Sequence, residues 1–195
     1  MIFGEYIERP PGTPLHLFRH HGRQDWQADG DVMVANLART MRLSGEPHCL
    51  CWWRIKGIER VDEWEAHFRT PEGRLYQAET PVTAAVNFTR NGLYDEVIGE
   101  GKVPAGLHLL ELFDADAIAR PDLRKLFEAR AKTVPAGHLL YVLKRIGQLA
   151  PGPGSMALWT FDSYAAAEPF IRQPPAAGLP ITTAGLYRNF GDEIA

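Results

Sequence analysis

His138-Leu139-Leu140-Tyr141-Val142-Leu143-Lys144-Arg145 is followed by the turn-rich Pro151-Gly152-Pro153-Gly154 and then by Met156-Ala157-Leu158-Trp159-Thr160-Phe161. Two apolar runs of strand length, joined by a loop rich in glycine and proline, read as paired strands. Ahead of them, Leu107-His108-Leu109-Leu110-Glu111-Leu112-Phe113 is another such run, and Pro121 opens a helix carrying Leu123, Leu126, Phe127 and Arg130 at helical spacing. Behind them, Asp162 or Ser163 caps a helix over Tyr164–Arg172, with Pro169 as a kink or late start, and Thr182–Asn189 supplies a last strand. The order is β-α-β-β-α-β.

The first half echoes this pattern. Pro14-Leu15-His16-Leu17-Phe18-Arg19-His20-His21 resembles Gly106–Phe113, and Glu65–Pro71 resembles Glu168–Pro174. Phe88–Asn91 falls where Leu186–Asn189 falls, Trp53 precedes its helix as Trp159 does, and Asp95-Glu96 matches Asp192-Glu193. Val34, Leu37, Ala38 and Met41 predict a helix from Asp31 to Leu43, ended by Gly45. Agreement in order predicts an internal duplication. The first half offers only Pro47–Gly57 as a clear strand between its helices, so its other strand is lost, shortened or replaced by Phe3–Glu8. Thr70–Thr83 and Gly99–Gly106 read as loops, the latter as the boundary between repeat 1 (1–98, with an extension over 1–13) and repeat 2 (106–195).

The 195 residues are 45% hydrophobic, 23% charged and 10% aromatic, enough to bury a core and unlike a disordered chain. A net charge of −3 gives no positive field for phosphate backbones, so nucleic acid is not an expected partner. The N-terminal stretch lacks a basic segment followed by an apolar run, and no later stretch has the length of a membrane span. A cytoplasmic protein without a membrane partner is expected. Cys49 and Cys51 lie two apart on one strand face, about 6.6 Å along the strand, which suits buried small side chains better than a disulfide.

With this element order and internal echo, the chain resembles a tandem member of the dimeric α/β-barrel superfamily. The resemblance implies an α+β fold in which two ferredoxin-like β-α-β-β-α-β repeats, the first degenerate, close into one α/β barrel. Relatives of that kind include antibiotic-biosynthesis monooxygenases, chlorite-dismutase-like and dye-decolourising haem proteins and small-ring isomerases. Fold does not choose among them. Closure also answers a physical demand, because Leu139, Tyr141 and Leu143 on one face and Leu140 and Val142 on the other are all too apolar to leave in water.

Alternation places His48, Leu50, Trp52 and Arg54 on one face of Pro47–Gly57 and Cys49, Cys51, Trp53 and Ile55 on the other. The second set suits a helix-covered face, which leaves His48, Trp52 and Arg54 for the barrel interior. There His48 could move a proton, Arg54 hold an anion and Trp52 stack on an aromatic ligand. The alternative places His48 and Arg54 at strand ends in water and Trp52 in the core. Glu111, in the middle of an apolar strand, needs a partner. The echo aligns it with Arg19, which makes it either half of a structural ion pair or a pocket base. Tyr141 and Arg145 share a face and are further ligand-binding candidates. His16 and His20 stand about 13 Å apart on an extended chain, too far to hold one ion together, and no metal site is expected.

These residues suggest a small-molecule-binding barrel doing proton-transfer chemistry, as an isomerase, cyclase or cofactor-free oxygenase, on a small aromatic or polyketide-like substrate. No tightly bound cofactor is expected. A haem protein is the alternative that the resemblance supplies, and a non-catalytic ligand-binding or assembly module is another. A homo-oligomer stays open.

Overall fold

The computed structural model describes residues 1–8, 31–42, 47–79, 87–99, 101–114, 120–133, 136–146, 153–172, 179 and 181–189. Among the described residues the strands are β1 (Ile2–Glu8), β2 (Val32–Arg42), β3 (Cys49–Arg54), β4 (Asn87–Ile98), β5 (Gly106–Phe113), β6 (His138–Arg145), β7 (Ser155–Phe161) and β8 (Ile181–Asn189). Among the described residues the helices are α1 (Glu59–Phe68), α2 (Pro71–Glu79), α3 (Leu123–Lys132) and α4 (Tyr164–Arg172). Each strand pairs antiparallel with two neighbours in the closed order β1-β3-β2-β8-β5-β7-β6-β4. This is an α+β closed antiparallel barrel. The first four strands run β4-β1-β3-β2 and the last four β8-β5-β7-β6, so every position in one half has a counterpart in the other.

One buried cluster draws Tyr6, Leu37, Leu50, Tyr94, Leu110, Leu143, Leu158 and Tyr187 from all of these strands, which only the inside of a closed barrel can do. The outer faces are covered separately. Phe127 of α3 and Phe170 of α4 bury Phe113, Trp159 and Phe161 beneath them. In the other half Trp64 of α1 meets Phe3 and Trp53 edge-on, at 5.2 and 6.4 Å between ring centroids. Strands covered on both sides read as continuous apolar runs, and β5 is buried from Leu107 to Phe113. Closure also leaves none of the described strands with an unpaired edge.

Room for the interior aromatics depends on two glycines facing each other across β1 and β4, Gly4 and Gly92. A Cβ at Gly92 would stand 2.9 Å from the Tyr94 ring, and one at Gly4 would stand 3.2 Å from it.

Two expectations are corrected. Asp31–Leu43 is not a helix over its described residues, because Val32–Arg42 forms β2. Its pairing slips between Met33 and Ala35 against β3 and between Arg39 and Met41 against β8. Each slip adds a residue to a period of two, so Val34 and Leu37 both reach the interior with helix-like spacing. Within Thr70–Thr83, Pro71–Glu79 is α2 rather than loop. Pro71 takes a first-turn position, and the Thr70 hydroxyl accepts a 3.1 Å bond from the Gly73 amide. The expected strand Pro14–His21 lies outside the described residues. Ile2–Glu8 pairs between β3 and β4.

Candidate functional site

Glu111 is buried, but on the face of β5 that α3 and α4 cover. Arg130, on the buried stripe of α3 with Leu123 and Phe127, grips it with Nη1–Oε2 and Nη2–Oε1 distances of 2.8 and 2.9 Å. Trp159 Nε1 donates to the same carboxylate at 2.9 Å, and the guanidinium lies over the Phe170 ring at 4.5 Å. Burial pushes the Glu111 carboxyl above its ordinary range, against the opposing pull of Arg130. Among the described residues the partner is Arg130; the expected Arg19 lies outside the described residues. In the sequence Arg130 is legible only as a helix residue. The usable signal was an arginine on an apolar helix stripe, which calls for a buried acid.

The other predicted residues divide between the two ends of β3. His48 Nδ1 meets Glu8 Oε2 at 2.6 Å, and both side chains are partly exposed. Arg54 stands about 20 Å further along the strand, so these two do not meet. Between them Trp52 is fully buried inside the barrel, while Cys49, Cys51, Trp53 and Ile55 lie under α1 as the alternation predicts. Burial raises the Cys51 thiol well above its ordinary pKa.

The Arg54 end gathers several of the candidates. Arg54 Nη2 donates to Glu96 at 2.6 Å and to the Tyr141 hydroxyl at 3.0 Å. The Glu96 bond holds the guanidinium more firmly charged. Tyr141 packs edge-on against Trp52, with ring centroids 5.7 Å apart. Its hydroxyl donates to the Gly101 carbonyl at 2.5 Å, and burial raises its pKa against the lowering effect of Arg54. Arg145 is buried opposite Tyr94, whose hydroxyl shares a 2.6 Å bond with Tyr6. The structure thus brings Arg54, Trp52 and Tyr141 together and leaves His48 and Glu111 elsewhere. Glu96 and Gly101 were missed as site residues. In the sequence Glu96 stands out only through the Asp95-Glu96 match between the halves, and no sequence pattern pairs it with Arg54 across strands that are distant along the chain.

Among the described residues no cluster of His, Cys, Asp and Glu has the makings of a metal site. No helix of the described residues is long and apolar enough to cross a membrane. A surface groove of about 440 Å³ lies between α3 and β6, with Glu128, Lys132 and His138 on its rim and Ile98 and Leu139 in its floor.

The barrel and its covering helices define the class, an α/β barrel. No protein-family model matches the chain. No curated protein matches it either. Among solved structures, a mutant chlorite dismutase from Candidatus Nitrospira defluvii is similar over 96% of this chain and 91% of its own, at 10% identity and a TM-score of 0.53. Another mutant of that enzyme covers 95% and 90%, at 11% identity and 0.52. An anthrone oxidase-like protein covers 100% and 94%, at 15% identity and 0.49. The chlorite dismutase likeness is one of fold: the chain shares that barrel architecture.

Proposed function

We propose that the chain is a small-molecule-binding barrel built from two ferredoxin-like repeats, and that its ligand site is the Arg54 end. The observation that carries the site is the Arg54 Nη2 to Tyr141 Oη contact of 3.0 Å beside Trp52. A fixed cation and a phenol there can share one ligand oxygen, and a carboxylate, Glu96, stands next to them. The ligand is a small aromatic molecule with an enolisable carbonyl. Glu96 takes the proton from the carbon beside the carbonyl, the C–H electron pair becomes the new C=C bond, and negative charge moves to the carbonyl oxygen. Arg54 and Tyr141 stabilise that oxygen with donors already in place. His48, engaged by Glu8 at the far end of β3, has no part in this reading.

The repeats are supported by the strand order common to both halves and by a matched pair of contacts. Trp53 Nε1 donates to Glu5 as Trp159 Nε1 donates to Glu111, at 2.8 and 2.9 Å. Their boundaries stay at 1–98 and 106–195. Phenylpyruvate, an anionic aromatic 2-oxo acid, tests the site. Calorimetric titration should show binding weakened by Arg54→Ala, and solvent deuterium should enter its methylene group faster with wild type than with Glu96→Gln. Binding that ignores Arg54→Ala would refute the site.

Haem, which the alternative reading needs, does not fit the described residues inside the barrel. His108 shares its strand face with Leu110 and Leu112, and its Nε2 is engaged by the Pro104 carbonyl at 2.9 Å. The space beside that face is filled by Tyr6, Trp52, Met156 and their neighbours.

A further inference from the structure

We infer that the Gly101 carbonyl is an internal stand-in for the ligand's oxygen: residues 101–105 form a strap across the Arg54 end of the barrel, and a ligand binds by displacing it. This rests on the ligand site proposed above and adds how that site is closed and which chemical group it accepts. β4 and β5 are not neighbours in the barrel, and the described part of the chain joining them, tied to β2, β3, β6 and β8, crosses its mouth. Side chains from separate strands reach up to its backbone. Gly101 O accepts from Tyr141 Oη at 2.5 Å and Arg54 Nη2 at 3.3 Å, and Asn189 Nδ2 donates to Val103 O at 2.6 Å. His108 Nε2 lies 2.9 Å from Pro104 O, and the Val103 amide donates to Val34 O at 2.7 Å. Val103 is buried in the interior cluster, so it plugs the opening.

The strap carries its own hinges. Gly99, Gly101 and Gly106 have φ of 155, 64 and 139°, conformations that other residues adopt only under strain. Its hold on the mouth is made of hydrogen bonds to carbonyls rather than regular structure, and such segments open locally more readily than barrel strands. At the Arg54 end, two donors converge on one sp² oxygen. That is the geometry a ketone, a carboxylate or the enolate of a carbonyl compound would need, and an amine or an alkane could not replace it. The apparent affinity for such a ligand is reduced by the fraction of molecules whose strap is open.

The test compares phenylpyruvate binding to wild type, Gly101→Ala, Arg54→Ala and the double variant Gly101→Ala with Arg54→Ala, and follows hydrogen exchange at the Val103 amide of wild type. A Cβ at Gly101 meets nothing within 4 Å, so Gly101→Ala strains only the strap's left-handed backbone. It should bind about fivefold to thirtyfold tighter than wild type, and saturating phenylpyruvate should speed exchange of the wild-type Val103 amide. Arg54-dependent binding seen only in Gly101→Ala would also support the strap. Arg54-dependent binding of equal strength in both, with Val103 exchange unchanged, would overturn the strap and leave the ligand site standing. Absence of binding in both proteins, or binding that ignores Arg54, would overturn both.

Discussion

Trp159 donates its indole N–H to the buried carboxylate of Glu111 at 2.9 Å. Trp53 does the same to Glu5 at 2.8 Å in the other half of the barrel. The match follows from register, since Trp159 faces Leu109 and Trp53 faces Phe3, and each acid stands two residues further along. The pairs differ in burial: Glu111 is 2% exposed and bound to Arg130, while Glu5 is only partly buried. Glu111→Ala leaves Arg130 buried without its partner and should destabilise by about 3–5 kcal/mol. Glu5→Ala should cost less, about 1.5–3 kcal/mol, as for a hydrogen bond to a charged group. Urea denaturation of the two variants measures both, and equal losses would contradict the difference in burial.

Gly92→Ala should destabilise by about 1–3 kcal/mol, because its Cβ would stand 2.9 Å from a fully buried Tyr94 ring already bonded to Tyr6. Gly101→Ala, which meets open space, should cost no more than about 1–2 kcal/mol of strap strain. Thermal melts distinguish the two, and a harmless Gly92→Ala would mean that the interior is less tightly filled than its burial shows.

Stability should fall on acidification through His108. Burial lowers its pKa from 6.5 to about 4, so as pH drops through that window the unfolded chain takes up a proton that the native barrel refuses. The loss is absent above the unfolded value and totals about 3 kcal/mol once pH falls below the native one. His108→Gln, which has no group titrating there, should flatten this part of the stability–pH curve. An unchanged curve in that variant would assign the acid sensitivity to other groups.

Trp53 and Arg54 should separate folding from binding. Trp53, buried beneath Trp64, should cost about 3–5 kcal/mol when cut to alanine. Arg54, about a third exposed, should leave folding nearly intact and weaken an anionic ligand by about 1.5–3 kcal/mol. A stable Trp53→Ala that binds poorly would mean that β3 presents the opposite face to the ligand.

The second half was legible because its elements keep close to one period, and β5, α3, β6, β7 and α4 all fall where apolar spacing and capping residues put them; the exception is a slip in β6 between Leu139 and Tyr141, which turns Leu139 to the helix-covered face and Leu140 to the interior, against the expected alternation. The facing of β3 was legible for the same reason. β2 was not, because its register slips turn a strand's alternation into spacing that imitates a helix. α2 was hidden by Gly73, which reads as a loop residue. There a Cβ would stand 2.2 Å from the His67 carbonyl, so the glycine serves the close approach of α1 and α2. At the site, the types were legible and the partners were not. Arg54, Trp52 and Tyr141 stand out as residues, but Glu96 and Gly101 join them only once the barrel has closed and the strap has crossed its mouth.

On the proposed site, Arg54 and Tyr141 bind a ligand oxygen where the Gly101 carbonyl now sits. The most direct measurement is a crystal structure of the protein with phenylpyruvate bound. A ligand oxygen is expected within hydrogen-bond distance of both Arg54 Nη2 and Tyr141 Oη, with Gly101 moved away from them. Phenylpyruvate seated instead in the groove beside His138 and Lys132, with Gly101 still bonded to Tyr141, would contradict it.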